Sequence, residues 1–218
     1  MTHRCRNIID EGVAQARACR SGFSAPEIHY PSTVPPSLDP MHQQVIAFWF
    51  HELQPAQWWR VDPALDAAIR DRFGRTLESA KACELYPWRA SPEGRLAEVI
   101  VLDQFSRNIH RGTPAAFAAD PLALALAQEA VSLGADQALP LHHRAFLYMP
   151  YMHSESVVIH GLAEQLFTAS GLTDNLKAEL RHKDIIARFG RYPHRNAILG
   201  RPSTPQEEAF LKEPGSSF

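Results

Sequence analysis

Apolar residues recur along most of this chain at the spacing of a helix, not a strand. Leu65, Ile69, Phe73 and Leu77 form one stripe. Leu122, Leu126, Ala130 and Leu133 form a second, and Val158, Leu162, Leu166 and Ala169 a third. Steps of three and four place such residues on one face at 3.6 residues per turn. Met41, Val45, Phe48 and Trp49 make a similar aromatic stripe, which Trp58-Trp59 is expected to cover. Strict alternation occurs only at Leu122, Leu124 and Leu126, inside an alanine-rich stretch that favours helix.

Polar punctuation supports the same reading. Asp39-Pro40, Asp62-Pro63, Ser91-Pro92, Asp120-Pro121 and Thr204-Pro205 each set a capping side chain before proline. Such a side chain accepts from an orphan backbone N–H, and proline at the first helical position loses no useful donor. Thr204 and Glu207 have capping-box spacing. Gly134, Gly171 and Gly190 are expected to stop their helices. The expectation is an all-α fold of roughly seven to nine helices with short connections. Residues 1–38, rich in Pro and Ser after residue 20 and without sustained helical period, read as a flexible extension, with 39–218 as one helical domain. A start at Met41 is the alternative beginning.

Composition narrows the partners. The 218 residues are 45% hydrophobic, ordinary for a chain that buries a core. Lys+Arg 22 against Asp+Glu 24 leaves a net charge of −2, which removes any composition-level case for nucleic acid or an anionic membrane. Apolar runs such as Val99–Leu102 end far short of the roughly 20 residues a bilayer crossing needs. Cys5, Cys19 and Cys83 are odd in number and form no C-x-x-C, so the expected setting is a reducing cytoplasm without disulfides or a cysteine metal site. The Ile8-Ile9 step is too short for the core of a signal peptide.

Chemistry concentrates in three polar segments. In the first, Leu96, Val99, Ile100 and Asp103 share a face, so Asp103 points towards the core and needs a partner, for which Arg107 stands one turn later. The pair reads either as a structural lock or as an orienting device that turns Arg107, with Asn108 beside it, towards a ligand carboxylate or phosphate. In the second, Tyr148 to Glu155 reads as a helix end, a proline-directed turn at Pro150 and a new helix with Glu155 in its first turn. His153 there is a candidate proton carrier, or a histidine packed on Tyr148 and Tyr151. A metal set of His153, Glu155 and His160 lacks H-E-x-x-H spacing, so no metal is assigned. In the third, Arg188, Arg191, His194, Arg195 and Asn196 follow Gly190, where they either bind an anion through planar guanidinium forks or pair with acids such as Asp103 and Glu155. Phe105–Asn108 and Tyr192–Asn196 echo each other, an aromatic followed by Arg-Asn, which would suit a paired site. His142-His143 reads as core material. There is no G-x-S-x-G, Walker or dinucleotide fingerprint, and no cofactor is implied.

Phe48-Trp49-Phe50, Asp62-Pro63 with Phe73, Leu102–Asn108, Met152–Glu155, Arg188–Asn196 and Ile198–Arg201 together resemble the bacterial domain-of-unknown-function 924 family, from about residue 44 to 218. The resemblance implies a fold like tetratricopeptide stacks of antiparallel helix pairs, and no established activity. After Glu155 that family usually shows an acidic residue and a downstream glutamine, where this chain has Ser156, Val157, Val158, Ile159 and His160. Two functions fit these residues. One is a small-molecule site in which Arg107, Asn108, Arg188, Arg191, Arg195 and Asn196 bind an anion, His153 and His194 move protons, and Asp103 and Glu155 orient them or act as bases. The other is a non-catalytic groove for a peptide or protein.

Overall fold

The computed structural model describes residues 41–217, and every regular element in it is helical. The proposed extension 1–38 and the cap at Asp39 lie outside the described residues. Helix α1 is Met41–Ala47, running on as a π turn over Phe48–Glu52. A 3₁₀ turn at Pro55–Trp59 precedes α2, Pro63–Lys81. Helix α3 starts at Pro92–Ile100, passes through a π turn at Val101–Phe105 and ends as Ser106–Ile109. There follow α4 (Asp120–Ser132), α5 (Leu141–Met152), α6 (Val157–Ala169), α7 (Thr173–Phe189), a 3₁₀ turn at Pro193–Arg195, and α8 (Pro205–Phe210).

Three of the four expected caps within these residues form. Asp62 accepts from the backbone N–H of Ala64 and Leu65, Ser91 from that of Gly94, and Thr204 and Glu207 close a reciprocal capping box. Asp120 does not cap: α4 begins at Asp120 itself, Ala119 holds the cap position, and the Asp120 carboxylate is taken by arginines. The glycine stops hold, with Gly134, Gly171 and Gly190 at φ of 68°, 69° and 68°, a region that penalises any residue with a Cβ. Cys83 takes φ 59° just beyond α2, the same left-handed exit made without glycine.

Helix α3 is the hub and packs against α1, α2, α4 and α5, while α6 lies against α5 and α7. Its Leu96, Val99 and Ile100 are fully buried, as are Ile69, Phe73 and Leu77 of α2. Each such side chain contributes about 1.5–3 kcal/mol through burial. Two expected stripes are out of phase. In α4 the buried face is Ala123, Ala127 and Ala130, with Leu122 and Leu126 half-buried and Leu133 exposed. In α6 it is His160, Ala163 and Phe167, and Val158 and Leu162 face outward. Alanine lets α4 approach α3 closely, and the buried face of α6 contains an imidazole bonded to the fully buried Glu179, 2.7 Å from Nδ1. A count of hydrophobic residues sees neither feature.

Pro150 does not start a turn: α5 continues through it to Met152, and Glu155 precedes α6 instead of entering its first turn. Burial of Tyr148, Met149, Tyr151 and Met152 offsets the backbone bond that proline forfeits. Among the described residues no helix is long and apolar enough to cross a membrane.

Candidate functional site

The π turn in α3 adds a residue to one helical turn and brings two neighbouring side chains, Asp103 and Gln104, inward together. Asp103 is fully buried. Its Oδ1 accepts from His153 Nδ1 at 2.7 Å and pairs with Arg107 at 3.0 Å, and its Oδ2 accepts from Gln104 at 2.5 Å. Burial alone pushes this carboxyl up, but Arg107, His153 and Gln104 outweigh burial and hold it well below the usual range. An ionised acceptor with three donors requires the proton on His153 Nδ1. The lone pair of the neutral ring is therefore on Nε2, and the ring's one hydrogen bond among the described residues is the one through Nδ1. Burial, reinforced by Arg107 and opposed by Asp103, lowers the pKa of His153, so the neutral ring is the form present at pH 7.

Asp120 joins the first and third segments. Arg107 grips both of its oxygens at 3.0 Å, and Arg195 reaches Oδ2 at 3.3 Å. Arg195 also donates to the His153 carbonyl at 3.1 Å, and its guanidinium lies 4.6 Å from the Phe117 ring centre and 4.7 Å from that of Tyr192. Burial and the neighbouring Arg107 lower its pKa. Its Nε is buried without a hydrogen bond among the described residues. The two echoing Arg-Asn steps thus meet on one carboxylate, although their asparagines diverge: Asn108 donates to Asp66 and Asn196 to Ser203.

These groups line a cavity of about 510 Å³. From the first segment come Gln104, Arg107 and Asn108, from the second Met152 and His153, and from the third His194 and Arg195. Arg60, Arg111, Arg181, His182 and Asn175 complete the polar wall, and Trp58, Trp59, Phe117 and Met149 supply apolar surface. Five arginines and three imidazoles therefore face the space, with no carboxylate in its wall. The acids stand behind: Asp103 and Asp120 hold Arg107 and Arg195, and Asp66 holds Arg111 through two bonds of 2.6 and 2.9 Å. Arg181 is exposed and has no carboxylate partner among the described residues. Burial, aided by Arg195, pushes His194 down to about 4, and burial pushes His182 down to about 3.

The other sequence candidates sit elsewhere. Glu155 accepts from the Tyr192 backbone N–H at 2.8 Å and from two Arg201 nitrogens at 2.6 and 2.9 Å. It borders a second, neighbouring cavity of about 400 Å³, whose wall also includes His153, Arg195 and Asp120. Arg191 is spent on both oxygens of Glu207 and on the Pro202 carbonyl. Asn196 is buried against Ser203 and Arg201, and exposed Arg188 lies over Phe189 and Phe210. His153 meets Asp103 instead of packing on tyrosines, and Tyr148 donates to Asp136. Sequence reasoning passed over Asp120, which it took for a cap, and Trp59, which is 64% exposed at the cavity rim, not core. It also missed Arg60, Arg111, Arg181 and His182, which no local pattern distinguishes from ordinary surface or helix residues.

Fold and site together define an all-helical protein with an open cavity lined by five arginines. Residues 45–215 match the family described as bacterial protein of unknown function (DUF924), and the chain belongs to that family. Among solved structures it is similar to a protein of unknown function, ATU0120 from Agrobacterium tumefaciens. The two share 39% identity and a TM-score of 0.75, over 79% of this chain and 97% of that one. No curated protein matches it.

Proposed function

We propose that the cavity binds a small organic anion with an apolar body, and that Asp103 and His153 serve that ligand as an acid–base pair. The single observation carrying this reading is the wall itself: five arginines and three imidazoles with every nearby carboxylate withdrawn behind it. The guanidinium charges of Arg107 and Arg195, the two set deepest in the wall, repel one another, and an entering anion relieves that repulsion where water screens it least. Trp58, Phe117 and Met149 would take the apolar part. A volume of about 510 Å³ lies within the range of about 300–1,000 Å³ usual for small-molecule sites, which favours a metabolite-sized ligand over an extended peptide.

Calorimetric titration with phenylacetate and with its uncharged isostere phenylacetamide tests the proposal. Phenylacetate is expected to bind and the amide to bind at least about tenfold more weakly, the effect of one charge-assisted contact. Arg181→Ala removes an exposed cation at the rim without touching the core, and should weaken phenylacetate alone. Equal binding of acid and amide would sink the reading.

A further inference from the structure

We infer that the ligand of this cavity is a hydroxy acid, an anion carrying a hydroxyl group beside its carboxylate, whose O–H is met by His153 Nε2. The inference rests on the anion-binding reading above and names the ligand class more narrowly. It follows from a mismatch in the cavity wall. Arginines donate only, and the amide oxygens of Gln104, Asn108 and Asn175 are neutral acceptors that cannot take up a proton, which an imidazole lone pair can. The wall contains no Ser, Thr, Tyr or carboxylate side chain. Two of its ring nitrogens have a lone pair placed by the hydrogen-bond network: His153 Nε2, because Asp103 accepts on three sides and so holds the proton on Nδ1, and His182 Nε2, because the Ala178 carbonyl does the same; of the two, His153 is the one held by an ionised carboxylate. A bare carboxylate would satisfy the arginines and leave this acceptor facing another acceptor. A hydroxyl beside the carboxylate answers both.

The groups around the imidazole fit that assignment. Asp103, Gln104 and Arg107 face it from α3, Asp120 from the start of α4, His182 from α7, and His194 and Arg195 from the 3₁₀ turn at Pro193–Arg195. Arg195 donates to the His153 carbonyl, so the residue that would hold the ligand carboxylate also holds the backbone of the base. A carboxylate near Arg195 would lie beside the residue that carries the base, since both line the one cavity. The carboxylate-held imidazole is positioned to accept the hydroxyl proton: the ligand O–H bond breaks, Nε2–H forms, and the charge left on oxygen faces the arginines. The wall offers no hydroxyl, thiol or lysine nucleophile, so chemistry here runs through the ligand's own oxygen.

Mandelate and phenylacetate differ by one hydroxyl and make the test. Wild-type protein is expected to bind mandelate about tenfold more tightly than phenylacetate, the size of one well-formed hydrogen bond. His153→Phe removes the acceptor together with a donor to Asp103, so the ratio of mandelate to phenylacetate affinity should fall to about one whatever the absolute affinities become. Should that variant not fold, long-range proton–nitrogen correlation of the wild-type histidine rings decides. A ring protonated on Nδ1 must show an Nε2 signal that moves with mandelate and not with phenylacetate. Equal binding of the two acids by wild type, with phenylacetamide still rejected, overturns the hydroxy-acid inference and leaves the anion reading standing. Failure of both acids to bind overturns the two together.

Discussion

Arg191 and Arg195 are four residues apart in one polar segment, yet they belong to two different kinds of cluster. Around Arg191 every strong group is answered: Glu207 takes the guanidinium with two bonds, Glu155 takes Arg201 with two more, and Asn196 and Ser203 close the remainder. Around Arg195 the acids sit on one side and a cavity on the other, and the Nε2 of His153 in the cavity wall makes no hydrogen bond among the described residues. The first cluster is a lock that fastens the C-terminal segment to the α5–α6 connection. The second has the incomplete satisfaction expected where a ligand belongs. Density of charged residues does not separate a lock from a site; leftover bonding capacity facing open volume does.

Breaking the lock should have the largest effect. Glu155→Ala strands the half-buried Arg201 and the Tyr192 backbone N–H together, at a cost of about 2–3 kcal/mol. The Tm should fall by about 6 °C, while phenylacetate affinity of the folded fraction stays as in wild type. An unchanged Tm would show that the C-terminal segment is held by its apolar contacts alone. Asp120→Asn should act in the opposite sense. Removing the shared counter-charge of Arg107 and Arg195 costs about 1–2 kcal/mol of stability but strengthens anion binding severalfold. Weaker binding in that variant would place the anion away from these two arginines.

Much of the fold was legible because it is written in short-range signals. The caps at Asp62, Ser91 and Thr204, the glycine exits and the buried face of α2 each depend on residues within a turn or two of one another. The convergence of the three polar segments was a fair expectation. The sorting within them was not, since Arg188, Arg191, Asn196 and Glu155 look no different in sequence from Arg107, Arg195 and His153. Asp120 was hidden by a cap signature that holds at three other Asp-, Ser- or Thr-Pro steps and fails here, because two arginines compete for its oxygens.

An effect graded with pH separates the clusters once more. His194 has its folded pKa pushed down to about 4 by burial and Arg195, against about 6.5 for an unfolded histidine. Between those values the unfolded chain binds the additional proton, so stability falls as the pH drops from about 6.5 towards 4, by at most about 1.4 kcal/mol per pH unit for this one group. Glu155 behaves differently. Burial pushes it up, but Arg201 and the Tyr192 N–H outweigh burial and lower its pKa, so its contribution is complete above the unfolded carboxylate range and is lost as pH falls through its folded value. Chemical denaturation at pH 7, 6 and 5 should show the cavity's loss first, and His194→Gln should flatten that part of the curve. A profile unchanged by the substitution would mean that His194 titrates normally.

By itself the sequence determined that the chain is helical, where most helices begin and end, and that acid, base and imidazole gather in three places. Those are consequences of backbone hydrogen bonding and side-chain spacing, which act over a few residues. Only the tertiary structure decided which face of α4 and α6 turns inward and which charge answers which. Asp103 and His153 are 50 residues apart, and Asp120 and Arg195 are 75 apart. Pairing at such distances is set by how α3, α4, α5 and the turn after α7 pack, and a buried ion takes whichever partner that packing delivers, because leaving it unpaired costs more than any local preference can repay.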